Sequence, residues 1–334
     1  MRLHKWVGWL RTLFGISATL LLLYQWLQSP RPLRTVASIQ PAGDYAEALQ
    51  HFERLRLSET GTLHDLCRSQ LLTHGQSTPR VFVLLHGYTN CPQQFAGFAQ
   101  LLHQAGHNVL NVRVPRHGFA DPLSEQLAFL TAEEMVDVTN EVLDLAAGLG
   151  AAITMIGMSL GGVLAGWAAQ YRADVDQAVL LAPALGLQAL SPQRSQLIAN
   201  LLALIPNRFL WWNPTLKAER IGPAHVYPRF STRGVAAFLQ VACLVRKAAQ
   251  QYKPAGRAIL LITNPWDNVV DNATALEVVH HWRSHGAAVD CREFPAEWHL
   301  IHDVLDAAQP GQQIERVYPL LLEWLTAPHS SPTP

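Results

Sequence analysis

The chain has 334 residues, 49% of them hydrophobic and only 15% charged, against a usual ~25% charged. This excludes a disordered chain and allows a large core. Lys plus Arg and Asp plus Glu both number 25, so the basic excess of a nucleic-acid binder is missing. Four Cys are too few for a disulfide scaffold. The 15 His are scattered without metal-ligand spacing, so neither a metal nor another cofactor is expected.

Residues Thr12 to Leu27 carry no charge, but as a helix they span only about 24 Å against a ~30 Å hydrocarbon core. Starting at Trp6 lengthens the run to about 33 Å if Arg11 snorkels to the headgroups. Trp6, Trp9, Tyr24 and Trp26 lie near its two ends, where aromatic rings favour an interface, and Arg2 and Lys5 precede it as in a signal peptide. Residues 1–30 are therefore expected to be a membrane anchor, with a cleaved signal as the alternative. Either implies an exported domain, although Arg31 and Arg34 beyond the run weaken that orientation. Residues 31–79 read as a linker and lead-in: a Pro-rich stretch from Ser29 to Gly43, then an amphipathic helix over Asp44–Leu57.

Strands and helices alternate from Arg80 onward. Val81–Leu85 is a continuous apolar run suited to a strand buried on both faces. A helix over Phe95–Ala105 and a strand over Asn108–Val114 follow. Thr131-Ala-Glu-Glu134 is a capping box that opens a helix to Leu149. Ala152–Ile156 is a strand, followed by a glycine-rich turn and an Ala-rich helix to Tyr171. Strands are expected at Ala178–Leu181, Ala258–Thr263 and Val289–Phe294, and helices at Ala273–Ser284 and Ile314–Trp324. The alternation predicts an α/β fold with a mostly parallel sheet covered on both faces. Residues 186–254 break the rhythm with helices at Ser191–Leu204 and Thr232–Gln251 around an aromatic knot, Phe209-Leu-Trp-Trp212. They read as a helical cap insertion within a domain spanning 80–334.

Gly157-Met-Ser159-Leu-Gly161 follows a strand and opens a helix, the setting of a nucleophile elbow. The turn is tight enough to require Gly at its flanks, and the helix N-terminus behind Ser159 favours developing negative charge. The competing reading is a Gly-rich helix start with an N-cap Ser. A serine nucleophile needs a base, and the base needs an orienting acid, both later in the chain. Asp267 and Asp271 follow the strand ending at Thr263. Asp267 sits at the loop tip and is favoured, since Asp271 is placed to cap a helix. His299 and His302 share the loop after the last strand, and spacing does not choose between them. Two backbone N–H groups must receive the oxyanion. Leu160 and Tyr88 are placed for this, with His86 in a hydrogen-bonded structural role.

From Arg80 to the C-terminus the sequence resembles the α/β-hydrolase superfamily. Within it the likeness is to the carboxylesterases and monoglyceride-lipase-like enzymes, including the serine aminopeptidase-like group. The likeness is carried by Leu-Leu-His86-Gly-Tyr88-Thr-Asn90, Pro115-Arg-His-Gly118, Gly-Met-Ser159-Leu-Gly, Asp267-Asn-Val-Val and His302-Asp303. It implies carboxylic ester hydrolysis by Ser159, His302 and Asp267 with an oxyanion hole at Tyr88 and Leu160. Two departures stand out: Asn-Pro-Trp precedes Asp267 where many members have a Gly, and the His loop lacks a Gly-His dipeptide. A segment resembling Leu-Pro-His-Asp favours His302. Acyl transfer, peptide or thioester hydrolysis could use the same triad, and a catalytically dead, membrane-anchored binding protein is the rival from another class.

Two further expectations concern side chains outside the triad. Cys67 and Cys91 pair in an exported domain, or remain buried free thiols. Trp211 and Trp212 are expected to bind substrate, because adjacent side chains diverge and one ring at least should face the cleft over Ser159. The partner is then a small or lipid-like ester.

Overall fold

The computed structural model describes residues 19, 22, 25–27, 29, 31–33, 40–217, 219 and 222–326. Seven strands form one sheet in the spatial order β1-β3-β2-β4-β5-β8-β9. They are β1 (Gln70–Leu72), β2 (Thr78–Leu85), β3 (Asn108–Val112), β4 (Gly150–Met158), β5 (Gln177–Leu181), β8 (Ala258–Thr263) and β9 (Ala288–Glu293). All neighbours pair in parallel except β1, which runs antiparallel to β3. The central strands are apolar because helices cover both faces: Val81–Leu85, the whole of β5 and the whole of β8 are buried.

Among the helices, α1 is Tyr45–Ser58, α2 Ala96–Gln104, α3 Ala132–Leu149, α4 Leu160–Tyr171, α5 Ser195–Leu204, α6 Thr232–Gln251, α7 Asn272–Ser284 and α8 Ile314–Thr326. The expected capping box opens α3: the Glu134 N–H donates to Thr131 Oγ1 and the Thr131 N–H to Glu134 Oε2, both at 3.1 Å. The two reciprocal bonds satisfy donors that the first turn leaves open.

Several features differ from the sequence reading. Strand β1 is three residues long, too short for a periodic signal. The lead-in packs into the main core: the Ala42 N–H donates to Asp144 O at 2.8 Å, and Ala48, Phe52 and Leu55 of α1 are buried. The insertion holds α5 and α6 but also a two-stranded antiparallel ribbon, β6 (Phe209–Trp211) with β7 (Arg229–Ser231).

The membrane-spanning helix is corrected. Among the described residues no helix is long and apolar enough to cross a membrane. The uncharged run was already short of the hydrocarbon thickness. Most of residues 1–30, including Trp6 and Trp9, lies outside the described residues. Cys67 and Cys91 form a disulfide with Cα atoms 5.2 Å apart, within the range such a bond requires.

Candidate active site

Ser159 sits at the carboxyl end of β4, the crevice side of an open parallel sheet. It has φ 57° and ψ −108°, a sparsely populated region that costs about 1–3 kcal/mol. The turn survives because its surroundings fix it. The Ser159 N–H donates to Leu181 O at 3.0 Å, and Ser159 O accepts from Ala184 N at 3.0 Å and Val163 N at 3.1 Å. A Cβ at Gly157 would lie 1.9 Å from Gly161 O, and one at Gly161 would lie 1.9 Å from Leu85 O. Only glycine permits those approaches.

His302 Nε2 lies 3.0 Å from Ser159 Oγ, and His302 Nδ1 lies 2.6 Å from Asp267 Oδ2. The other carboxylate oxygen, Oδ1, accepts from the N–H groups of Val269 at 2.9 Å and Val270 at 3.0 Å. Burial pushes the Asp267 carboxyl up, but the His302 hydrogen bond and charge, with the Val270 and Val269 N–H groups, outweigh it. The group is held below its ordinary value and stays an acceptor. Asp271 instead caps α7, accepting from Ala273 N at 3.2 Å. His299 is exposed, has φ 46° and packs on Trp266 with ring centroids 4.2 Å apart.

The loop after β2 passes close to the serine, and a Cβ on Gly87 would be 3.4 Å from Ser159 Cβ. Tyr88 therefore follows the point of nearest approach, and Leu160 opens α4, where first-turn N–H groups have no intrahelical acceptor. His86 is buried. Its Nδ1–H donates to Gly87 O at 2.9 Å, and its Nε2 accepts from Val114 N at 3.0 Å. Burial and then the neighbouring His117 lower its pKa well below the ordinary value. His117 itself is lowered to about 4, chiefly by burial. Both rings are neutral near pH 7, and His86 has no nitrogen free to serve as a base.

A cavity of about 940 Å³ opens over Ser159, with Leu187, Ile198, Leu202, Leu210, Trp212 and Phe238 among its apolar walls. Trp212 lines it and donates from Nε1 to Thr89 Oγ1 at 3.1 Å. Trp211 does not line it, which corrects its expected part in substrate binding. The chain is extended there, so Leu210 and Trp212 share one side and Trp211 takes the other. Gln94, Asn90 and Asp303 also line the cavity and reach the loop around Gly87. No role for these side chains follows from sequence. Asn90 and Asp303 appear there only as members of the motifs that carry the family resemblance, and Gln94 not at all. Among the described residues no cluster of His, Cys, Asp or Glu is arranged to hold a metal.

An alternating, mostly parallel sheet with a serine elbow at its carboxyl edge defines a hydrolase-type α/β protein. The model of the alpha/beta hydrolase family matches residues 82–316, and the chain belongs to that family. No curated protein sequence matches. Many solved structures share the fold. A metagenome-derived enzyme, from work on the lipolytic enzymes LipS and LipT, is 18% identical at a TM-score of 0.59, covering 79% of this chain and 99% of that one. The monoacylglycerol lipase of Paleococcus ferrophilus is 19% identical at 0.57, covering 79% and 98%. A soluble variant of the Saccharomyces cerevisiae monoglyceride lipase, bound to a substrate analogue, is 14% identical at 0.57, covering 80% and 96%.

Proposed function

We propose that the protein is a serine hydrolase of carboxylic esters with an apolar acyl or alkyl group. The observation that carries this reading is the 3.0 Å approach of His302 Nε2 to Ser159 Oγ, with Asp267 2.6 Å behind the ring, at the floor of an apolar cavity. His302 takes the Ser159 proton as Oγ bonds to the ester carbonyl carbon. The carbonyl electrons move onto oxygen, which the Tyr88 and Leu160 N–H groups receive. The oxyanion collapses, the C–O bond to the alcohol breaks, and His302 returns the proton to the leaving oxygen. Water then repeats the sequence on the acyl-enzyme, releasing acid and restoring Ser159. Asp267 holds the productive imidazole tautomer and stabilises the imidazolium. The lipases and lipolytic enzyme of like fold favour esters over peptides, as do the apolar walls. The Cys67–Cys91 bond favours an oxidising, extracytoplasmic setting.

The test is hydrolysis of p-nitrophenyl esters of graded acyl length by the wild type and Ser159→Ala. The reading expects turnover by the wild type and a loss of at least ~10⁴-fold in the variant. Equal rates in the two proteins would refute it.

A further inference from the structure

Beside the triad lies a polar cluster that the proposed chemistry does not use. The Asp303 carboxylate faces donors on several sides. Oδ2 accepts from Asn90 Nδ2 at 2.9 Å and Gln309 Nε2 at 3.4 Å, and Oδ1 from the N–H groups of Leu305 at 3.3 Å and Asp306 at 3.2 Å. Burial and then the Asp306 charge push the Asp303 carboxyl up, and the Gln94 side-chain amide pulls it down. Gln94 and Asn90 each turn their oxygen the other way. Gln94 Oε1 accepts from the Gly87 N–H at 2.7 Å, and Asn90 Oδ1 from the Cys91 N–H at 2.8 Å. The carboxylate thus orients two amides, and those amides hold both ends of the loop 87–91. Asn90 Nδ2 also reaches Asp306 Oδ2 at 3.3 Å, and Asp306 is paired with His225 at 2.7 Å. Cys91 is fixed on its far side by Cys67.

We propose that Asp303 is a positioning residue for the oxyanion loop, acting through the Gln94 and Asn90 amides to aim the Tyr88 N–H at the reacting carbonyl. This rests on the reading of Ser159 as nucleophile. The physical reason is the polarity of the contacts. An amide side chain can present either end; an acceptor at Asp303, joined at Asn90 by Asp306, draws the NH₂ ends and so turns the oxygens toward backbone N–H groups. Asp303→Asn places an NH₂ group among groups that are themselves donors, so at least one amide must turn or lose a partner. The Gly87 N–H would then lose its acceptor and the loop its fixed geometry. Asp303 also follows His302 directly, and a role through the imidazole must be separated from a role through the loop.

The experiment measures kcat and KM for p-nitrophenyl acetate across pH, with the Ki of a short-chain trifluoromethyl ketone, for wild type, Asp303→Asn, Gln94→Met and the double variant. Each single variant is expected to lower kcat by about 10- to 100-fold, short of the ~10²–10³ that follows removal of a whole donor. The ketone Ki should rise by the same factor while KM stays within about two-fold, since the ketone adduct carries the oxyanion and the bound ester does not. The acid limb of the Gln94→Met profile should not move, and the double variant should be no slower than the slower single, as for two links of one chain. Unchanged kcat and Ki, a displaced acid limb with an unchanged plateau, or additive losses would each overturn the proposal. Should Asp303→Asn fail to fold, Gln94→Met alone carries the same expectations. Wild type that turns over no ester and resists fluorophosphonate indicts the serine-hydrolase reading itself, whereas active wild type with indifferent variants indicts only Asp303.

Discussion

The Trp212 indole donates to the Thr89 hydroxyl at 3.1 Å, so the ribbon of the insertion is fastened to the loop that turns past Ser159. The same ring stacks obliquely on Phe230 with centroids 4.5 Å apart. Insertion and loop meet again where the Tyr227 N–H donates to Thr89 O at 2.8 Å. The cavity wall and the loop therefore share a fixed seat.

Trp212→Ala should lower kcat/KM for octanoate esters by about ten-fold more than for acetate esters. The difference corresponds to about two methylenes of lost burial at ~0.8 kcal/mol each. Trp211→Ala should show no dependence on chain length. A p-nitrophenyl ester series measures both, and a chain-length effect at Trp211 instead would contradict the side assignment.

Replacing Asp267 by Asn keeps the shape but not the imidazole tautomer, and should reduce kcat by about 10⁴-fold. The carboxyl lies below its ordinary value in the fold. Its stabilisation is therefore fully present above the unfolded value of ~3.9 and is lost as pH falls through the folded one. Urea unfolding at pH 7 and at pH 3 should show the wild-type advantage over Asp267→Asn shrinking at the lower pH. A wider gap at pH 3 would reverse the sign.

His302→Ala should abolish turnover, and His299→Ala should stay within about two-fold of wild type, because no contact joins His299 to Ser159 and its ring packs on Trp266. Triad members act as a unit, so a strong loss at His299 alone would displace His302 as the base.

Thiol titration of the denatured, unreduced protein should find two free thiols, Cys243 and Cys291, and four after reduction. The Cys67–Cys91 bond closes a chain separation of 24 residues, and its removal should cost about 3 kcal/mol, read as a shift in urea midpoint. Four free thiols before reduction would show the bond absent in solution.

The elbow was legible because its pattern is local. Gly157 is required by Gly161 O within the turn and Gly161 by Leu85 O of the neighbouring strand, but the Gly-x-Ser-x-Gly spacing and the strand and helix on either side lie in one segment and announce themselves by period. The choice of His302 was not legible from spacing, because it depends on where the 3₁₀ turn Ala296–Trp298 releases the chain into the left-handed conformation of His299. The fate of Trp211 and Trp212 was hidden for another reason. Strands β6 and β7 pair across a long gap in the chain, and no pattern within Phe209–Trp212 records that partner. The Asp303 cluster was illegible because Asn90 and Asp303 stand 213 positions apart and meet only through the fold.

The central claim, that Ser159 is an activated nucleophile, is tested most directly by a fluorophosphonate followed by peptide mass spectrometry. The account predicts one phosphonyl adduct, on Ser159, with ester hydrolysis lost in proportion and no adduct in Ser159→Ala. An unlabelled wild type, or an adduct on another residue with Ser159 untouched, would contradict it.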